Sequence, residues 1–109
     1  MTTHAAEQHR SNGFPIDLSF EFFPPNTDAG AEKLRDVRAR LAALSPDFFS
    51  VTYGAGGATR DKTLATVTSI ADEGHVVAPH ISCIGAMRES IAELLALYRE
   101  RGIRRLVAL

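Results

Sequence analysis

A chain of 109 residues that is 45% hydrophobic and 23% charged is long enough for one modest core, and one domain is its ceiling. Its 12 basic and 13 acidic residues leave a formal charge of -1, with no Lys/Arg stripe to follow a phosphate backbone, which argues against nucleic acid as a partner. No apolar run approaches the roughly 20 residues of a bilayer span and the opening is too polar for a signal-peptide core, so the expected setting is the cytoplasm, with no membrane partner; Cys83, the single cysteine, excludes an internal disulfide and reads as a packed, inert thiol.

Residues 1–15 carry no apolar period and read as a disordered tail, with His4 and His9 as solvated bystanders. Residues 16–109 alternate short apolar runs with amphipathic stretches, the pattern of βα units feeding a parallel sheet. The first strand is expected over Leu18 to Phe23, stopped by Pro24 and Pro25, which have no N–H for a ladder. Thr27 or Asp28 can cap the helix that follows. That helix carries Leu34, Val37, Leu41 and Leu44 at helical spacing, turns Lys33, Arg35, Asp36, Arg38 and Arg40 to water, and ends near Ser45 and Pro46.

A second strand, Phe48 to Tyr53, runs into the loop Gly54-Ala55-Gly56-Gly57. A helix opening at Ala58 or Thr59 then bears Leu64, Val67, Ile70 and Ala71 and stops at Gly74. The third strand is expected over Val76 to Ile81. The third helix sets Ile91, Leu94, Leu95 and Tyr98 on one face and has Gly102 just past its end. Arg105 to Leu109 begins a fourth strand. Parallel strands with helical crossovers fit an open doubly wound sheet or a (β/α)₈ barrel equally well by period alone.

Side chains two apart on a strand share a face. Ser19, Glu21 and Phe23 therefore oppose Leu18, Phe20 and Phe22. Phe48, Ser50 and Thr52 oppose Phe49, Val51 and Tyr53, and Val76, Ala78 and His80 oppose Val77, Pro79 and Ile81. Each strand brings one polar group, Glu21, Thr52 or His80, near its carboxyl end, where α/β enzymes build their sites. Their spacing matches successive βαβ units, so the three are expected side by side if the strands are in equivalent register. Glu21, inside Phe20-Glu21-Phe22-Phe23, is costly to bury charged, and burial would leave it fit to donate a proton. A strand-end carboxylate bonded to backbone amides explains the same run, and a core histidine satisfied by a carbonyl explains His80. The glycine loop departs from the dinucleotide fingerprint because Thr59 stands at its sixth position, and no acid, His or Cys cluster has metal-ligand spacing.

Four co-linear segments carry a resemblance. They are Ser19-Phe20-Glu21-Phe22-Phe23-Pro24-Pro25, Ser50-Val51-Thr52-Tyr53-Gly54-Ala55-Gly56-Gly57, Ala78-Pro79-His80-Ile81-Ser82-Cys83 and Gly102-Ile103-Arg104-Arg105-Leu106-Val107-Ala108-Leu109. In order and spacing they resemble the bacterial methylenetetrahydrofolate reductases, with Ala58 where many members have Ser and Ile81-Ser82 where Leu-Thr is usual. The resemblance implies the amino-terminal portion, about three and a half βα units, of a (β/α)₈ TIM barrel. It also implies FAD at the carboxyl ends of the strands, NADH or NADPH as hydride donor, a folate substrate and a homo-oligomer. Glu21 matches the family's general acid, which protonates the folate so that its one-carbon bridge opens. Thr52 matches a nicotinamide contact, and Tyr53 and His80 match flavin contacts, although alternation alone would turn Tyr53 toward the helices. In the family an Arg-Gly-Asp segment follows the position of Leu109 and supplies further flavin and folate contacts. The expectation is thus a truncated reductase that is inactive alone. The alternative is a non-catalytic barrel fragment that self-associates through exposed sheet edges.

Overall fold

The computed structural model describes residues 15–53, 57–82 and 87–109, with the backbone alone of 57–59. All of the expected tail except Pro15, the glycines Gly54 and Gly56, and Cys83 lie outside the described residues. Four strands and three helices alternate along the chain. They are β1 (Ser19–Phe22), α1 (Asp28–Ala42), β2 (Phe48–Val51), α2 (Gly57–Asp72), β3 (Val77–Ile81), α3 (Arg88–Glu100) and β4 (Val107–Ala108). The sheet runs β1-β2-β3-β4 with every pairing parallel, the topology that right-handed βαβ crossovers generate.

Local chemistry fixes the element ends. Thr27, in extended conformation, caps α1 by accepting from the Gly30 amide at 3.0 Å. α1 ends at Ala42, three residues before Ser45, which takes φ 50 and turns the chain out of the helix ahead of Pro46. α2 and α3 stop at Gly74 (φ 90) and Gly102 (φ 79), left-handed positions that glycine adopts without a Cβ penalty. At α3 the Ile103 amide closes back to the Tyr98 carbonyl at 3.0 Å. Val76 precedes β3 and is exposed, although its carbonyl still receives the Phe49 amide at 2.9 Å.

The core lies between the sheet and the helices. Phe22, Phe49, Val51, Val77 and Ile81 from the strands meet Val67, Ile70, Leu94 and Tyr98 from α2 and α3. The rings of Phe22 and Phe49 stack with centroids 5.3 Å apart, and His75 meets Phe49 edge-on at 5.2 Å. Alternation therefore sorts the strands as expected, with this set toward the helices and the Ser19, Glu21, Ser50, Ala78 set on the other face.

Two expectations about burial are corrected, and one burial was not anticipated. Arg38, read as a solvated helix residue, is 2% exposed: its guanidinium reaches across to α2 and the turn after it, where Glu73 and Ser69 accept from it. Leu44 and Leu95, read as core, are half exposed, because α1 has ended before Leu44 and Leu95 falls at the rim of its helix face. α2 buries Thr63 and Thr66 as well as Val67 and Ile70, since it lies between two other helices; the hydroxyls bond to the Thr52 and Lys62 carbonyls at 2.8 and 2.9 Å. No helix among the described residues is long and apolar enough to cross a membrane.

Candidate active site

The face of the sheet away from the helices carries the residues that sequence singled out. Glu21 has Ser50 as its Cα partner and Ser50 has Ala78, so these three form one row. His80 lies two residues further along β3, in the row that the parallel ladder continues to Thr52 and that has Val107 on β4. Glu21 is thus one row nearer the amino ends than expected. The ladder advances 29 residues from β1 to β2 and 28 from β2 to β3, whereas Thr52 follows Glu21 by 31 and precedes His80 by 28, so Glu21 falls two residues short of the Thr52 row.

The one-row offset is bridged by side-chain length. His80 Nε2 lies 3.3 Å from Glu21 Oε1, across the intervening strand β2. Adjacent strands stand about 4.8 Å apart, so the backbones of β1 and β3 are separated by roughly 10 Å, and only two long side chains over small neighbours can meet. Ser50 and Ala78 provide those neighbours: both are buried beneath the pair. The two partners sit in unlike surroundings, His80 with 7% of its side chain exposed and Glu21 with 55%. The expectation of a buried Glu21 is corrected, because no described side chain covers this face above it.

Thr52 closes the end of β2. Its amide donates to the Phe22 carbonyl at 2.9 Å, and its carbonyl accepts the Thr63 hydroxyl at 2.8 Å, which ties the strand end to α2. Tyr53, half-buried, belongs by alternation to the helix side. Its phenol bears on Tyr98, a core residue of α3: burial first, and Tyr53 second, push the Tyr98 phenol up to about 12, with Arg60 and Arg101 opposing. Tyr98 Oη has no hydrogen-bond partner among the described residues. The structure therefore joins Glu21 and His80, sets Thr52 in their neighbourhood and turns Tyr53 toward the opposite side.

At the amino end of the same face the Arg105 guanidinium lies 4.7 Å from the centre of the Phe48 ring, a cation–π contact reaching from the chain before β4 to β2. Sequence reasoning did not find it. The only signal was the shared parity of Phe48 with Ser50 and of Arg105 with Val107, which states a face and not a contact.

The family model described as methylenetetrahydrofolate reductase matches residues 6–109. The chain belongs to the methylenetetrahydrofolate reductase family. It is 46% identical over 95 residues to the 5,10-methylenetetrahydrofolate reductase of Pectobacterium carotovorum subsp. carotovorum, covering 86% of this chain and 32% of that protein. The Escherichia coli (strain K12) reductase is 42% identical over the same shares. The plant methylenetetrahydrofolate reductase (NADH) 1 of Arabidopsis thaliana is 38% identical over 93 residues, covering 84% of this chain and 16% of that protein. The chain thus spans about a third of the length of the bacterial relatives it matches. The methylenetetrahydrofolate reductase fold is a TIM barrel, and the four parallel strands and three helices here are part of one. In that frame the Glu21–His80 pair lies toward the carboxyl end of the barrel interior, where barrel enzymes hold their substrates.

Proposed function

We propose that this chain contributes to the reduction of 5,10-methylenetetrahydrofolate to 5-methyltetrahydrofolate with FAD and NADH or NADPH, and that Glu21 is the acid of that reaction. The observation that carries the reading is the meeting of Glu21 and His80 at 3.3 Å on the barrel-interior face, within a chain that belongs to the reductase family. One relative is named for NADH, which supports a nicotinamide donor.

The residues fit a flavin by their chemistry. His80 stands on the interior face beside Glu21, and Phe23, with 77% of its surface exposed, leaves an uncovered aromatic surface just past β1. His80 is the residue of this face proposed to hold it, while Tyr53, which the resemblance also assigns to the flavin, lies on the helix side of the sheet. Bound FAD would supply the hydride relay between nicotinamide and folate. Glu21 gives a proton to the folate nitrogen: its O–H bond breaks, an N–H bond forms and the carboxylate keeps the charge, so that the one-carbon bridge opens to the species that accepts hydride. Thr52, with its main chain held at both N–H and carbonyl, positions the nicotinamide.

Glu21→Gln keeps the shape and removes the proton. In a full-length reductase of the family, the change at the matching glutamate is expected to slow folate reduction on the order of 100-fold or more, well beyond any effect on flavin reduction by NAD(P)H, as single-turnover kinetics would resolve. Folate reduction at the unaltered rate would overturn the assignment. The 109 residues purified alone are expected to hold FAD weakly and not to turn over, because Glu21 and Phe23 stand open to solvent on a four-stranded sheet. Stoichiometric yellow flavin with NADH oxidation would refute that. The outer edges of β1 and β4, unpaired among the described residues, support a second reading, a segment that associates through its sheet edges.

A further inference from the structure

We propose that His80 is a positioning residue for the Glu21 acid, its Nε2–H donating to Oε1 so that the transferable proton is held on Oε2. This inference rests on the proposed role of Glu21 and names the group that controls it. A carboxylic acid has two oxygens and one proton, and only a proton on the oxygen facing the substrate is useful. Nε2 stands 3.3 Å from Oε1. If the imidazole presented a bare Nε2, the acid proton would settle on Oε1 and point at the ring. With Nε2–H facing it, Oε1 is an acceptor and the proton is confined to Oε2.

The burial of the pair supports the direction of control. His80 is 7% exposed and rides on β3, which is buried along its whole length, whereas the Glu21 side chain is 55% exposed. The histidine is therefore the fixed partner and the glutamate the one that needs holding. Ser50 and Ala78 matter for the same reason: their small side chains leave the passage over β2 through which the two groups meet. After the proton has gone to folate, the same Nε2–H remains on the carboxylate and stabilises the charge left behind.

Two measurements test this. In ¹⁵N-resolved NMR of the protein, a slowly exchanging His80 Nε2–H resonance is expected; it survives in Glu21→Gln, whose amide oxygen still accepts, and is lost in Glu21→Ala. A bare Nε2, or a resonance indifferent to Glu21→Ala, overturns the proposal. In a full-length reductase of the family with FAD saturating, His80→Leu at the matching position is expected to slow folate reduction about 10- to 100-fold, and at least tenfold more than it slows flavin reduction. His80→Gln recovers a large part of the loss, because its carboxamide offers an N–H to Oε1. Equal slowing of both steps would make His80 a flavin contact alone and overturn the inference while Glu21 stands. Undiminished folate reduction by Glu21→Gln overturns the Glu21 reading itself, so the two failures are distinguishable.

Discussion

The Arg38 guanidinium donates through Nε and Nη2 to the two Glu73 oxygens, at 2.6 Å each, and through Nη2 to Ser69 Oγ at 3.0 Å. Arg38 keeps 3% of its side chain exposed and Glu73 keeps 29%, so the cation depends on the pair more than the anion does. Removing the acid strands a buried charge, which costs about 3 kcal/mol at the low end of the range for such pairs, since Glu73 is partly solvated. Removing the cation leaves a carboxylate still near Arg35 and His75 at 3.7 Å each. Glu73→Ala is therefore expected to destabilise more than Arg38→Met in urea denaturation. The hydrogen bond from Arg38, with the charges of Arg38, His75 and Arg35 and against the penalty of burial, holds the Glu73 carboxyl below its ordinary value of 4.5. A lowered folded-state value means that the stabilisation is complete above the unfolded value, near 4.5, and is lost as pH falls through the folded one. Glu73→Gln should flatten the acid limb of stability, and an unchanged limb would contradict this. Sequence could not reveal the pair: Arg38 lies among six other charged residues of α1, and the periodicity of a helix face does not say which neighbour reaches it.

The start of α1 was legible because its chemistry is local. Pro24 and Pro25 end the strand, Thr27 offers an oxygen, and the Gly30 amide is bonded to it at 3.0 Å. Thr27→Ala is expected to cost about 1 kcal/mol. Gly30 raises a finer question. Alanine there would gain up to about 1 kcal/mol of helix propensity, but its Cβ would stand 3.1 Å from Thr27 Oγ1 and 3.3 Å from Pro25 Cβ. The threonine contact vanishes in the Thr27→Ala background. The double variant should therefore be more stable than the sum of the singles by about 0.5 kcal/mol, an interaction that a double-mutant cycle in denaturant reads directly. Strict additivity would mean that Thr27 moves aside at no cost. The buried face of α2 was less legible: Thr63 and Thr66 are polar by residue type, and they are buried because α1 and α3 flank the helix and the Thr52 and Lys62 carbonyls accept their hydroxyls.

At the scale of the whole molecule, the parallel order β1-β2-β3-β4 followed from alternating strand and helix patterns, while the register that sets Glu21 a row away from Thr52 did not. The ladder step from β1 to β2 is 29 residues and Thr52 lies 31 beyond Glu21; the step depends on where the intervening helix and loops return the chain, which strand and helix patterns locate only to within a few residues. The same sheet has two outer strands, β1 and β4, each paired on one side only among the described residues. Beside them Phe23 is 77% exposed and Leu109 67%, and Val76 on the interior face is 55% exposed. Unpaired strand edges beside apolar surface associate in water, because pairing satisfies backbone donors and removes apolar area together. The purified 109-residue chain is thus expected to show a mass that rises with concentration in sedimentation or light scattering. A charge on the edge, Phe23→Lys, should shift that association to higher concentration while leaving the helix-side core intact, since Phe23 lies outside it. A monomer of unchanging mass from micromolar to millimolar concentration would show that these edges are protected. Glu21 and the open face of the sheet would then be accessible to small ligands in the isolated chain, and weak flavin binding could be titrated without competition from a second copy.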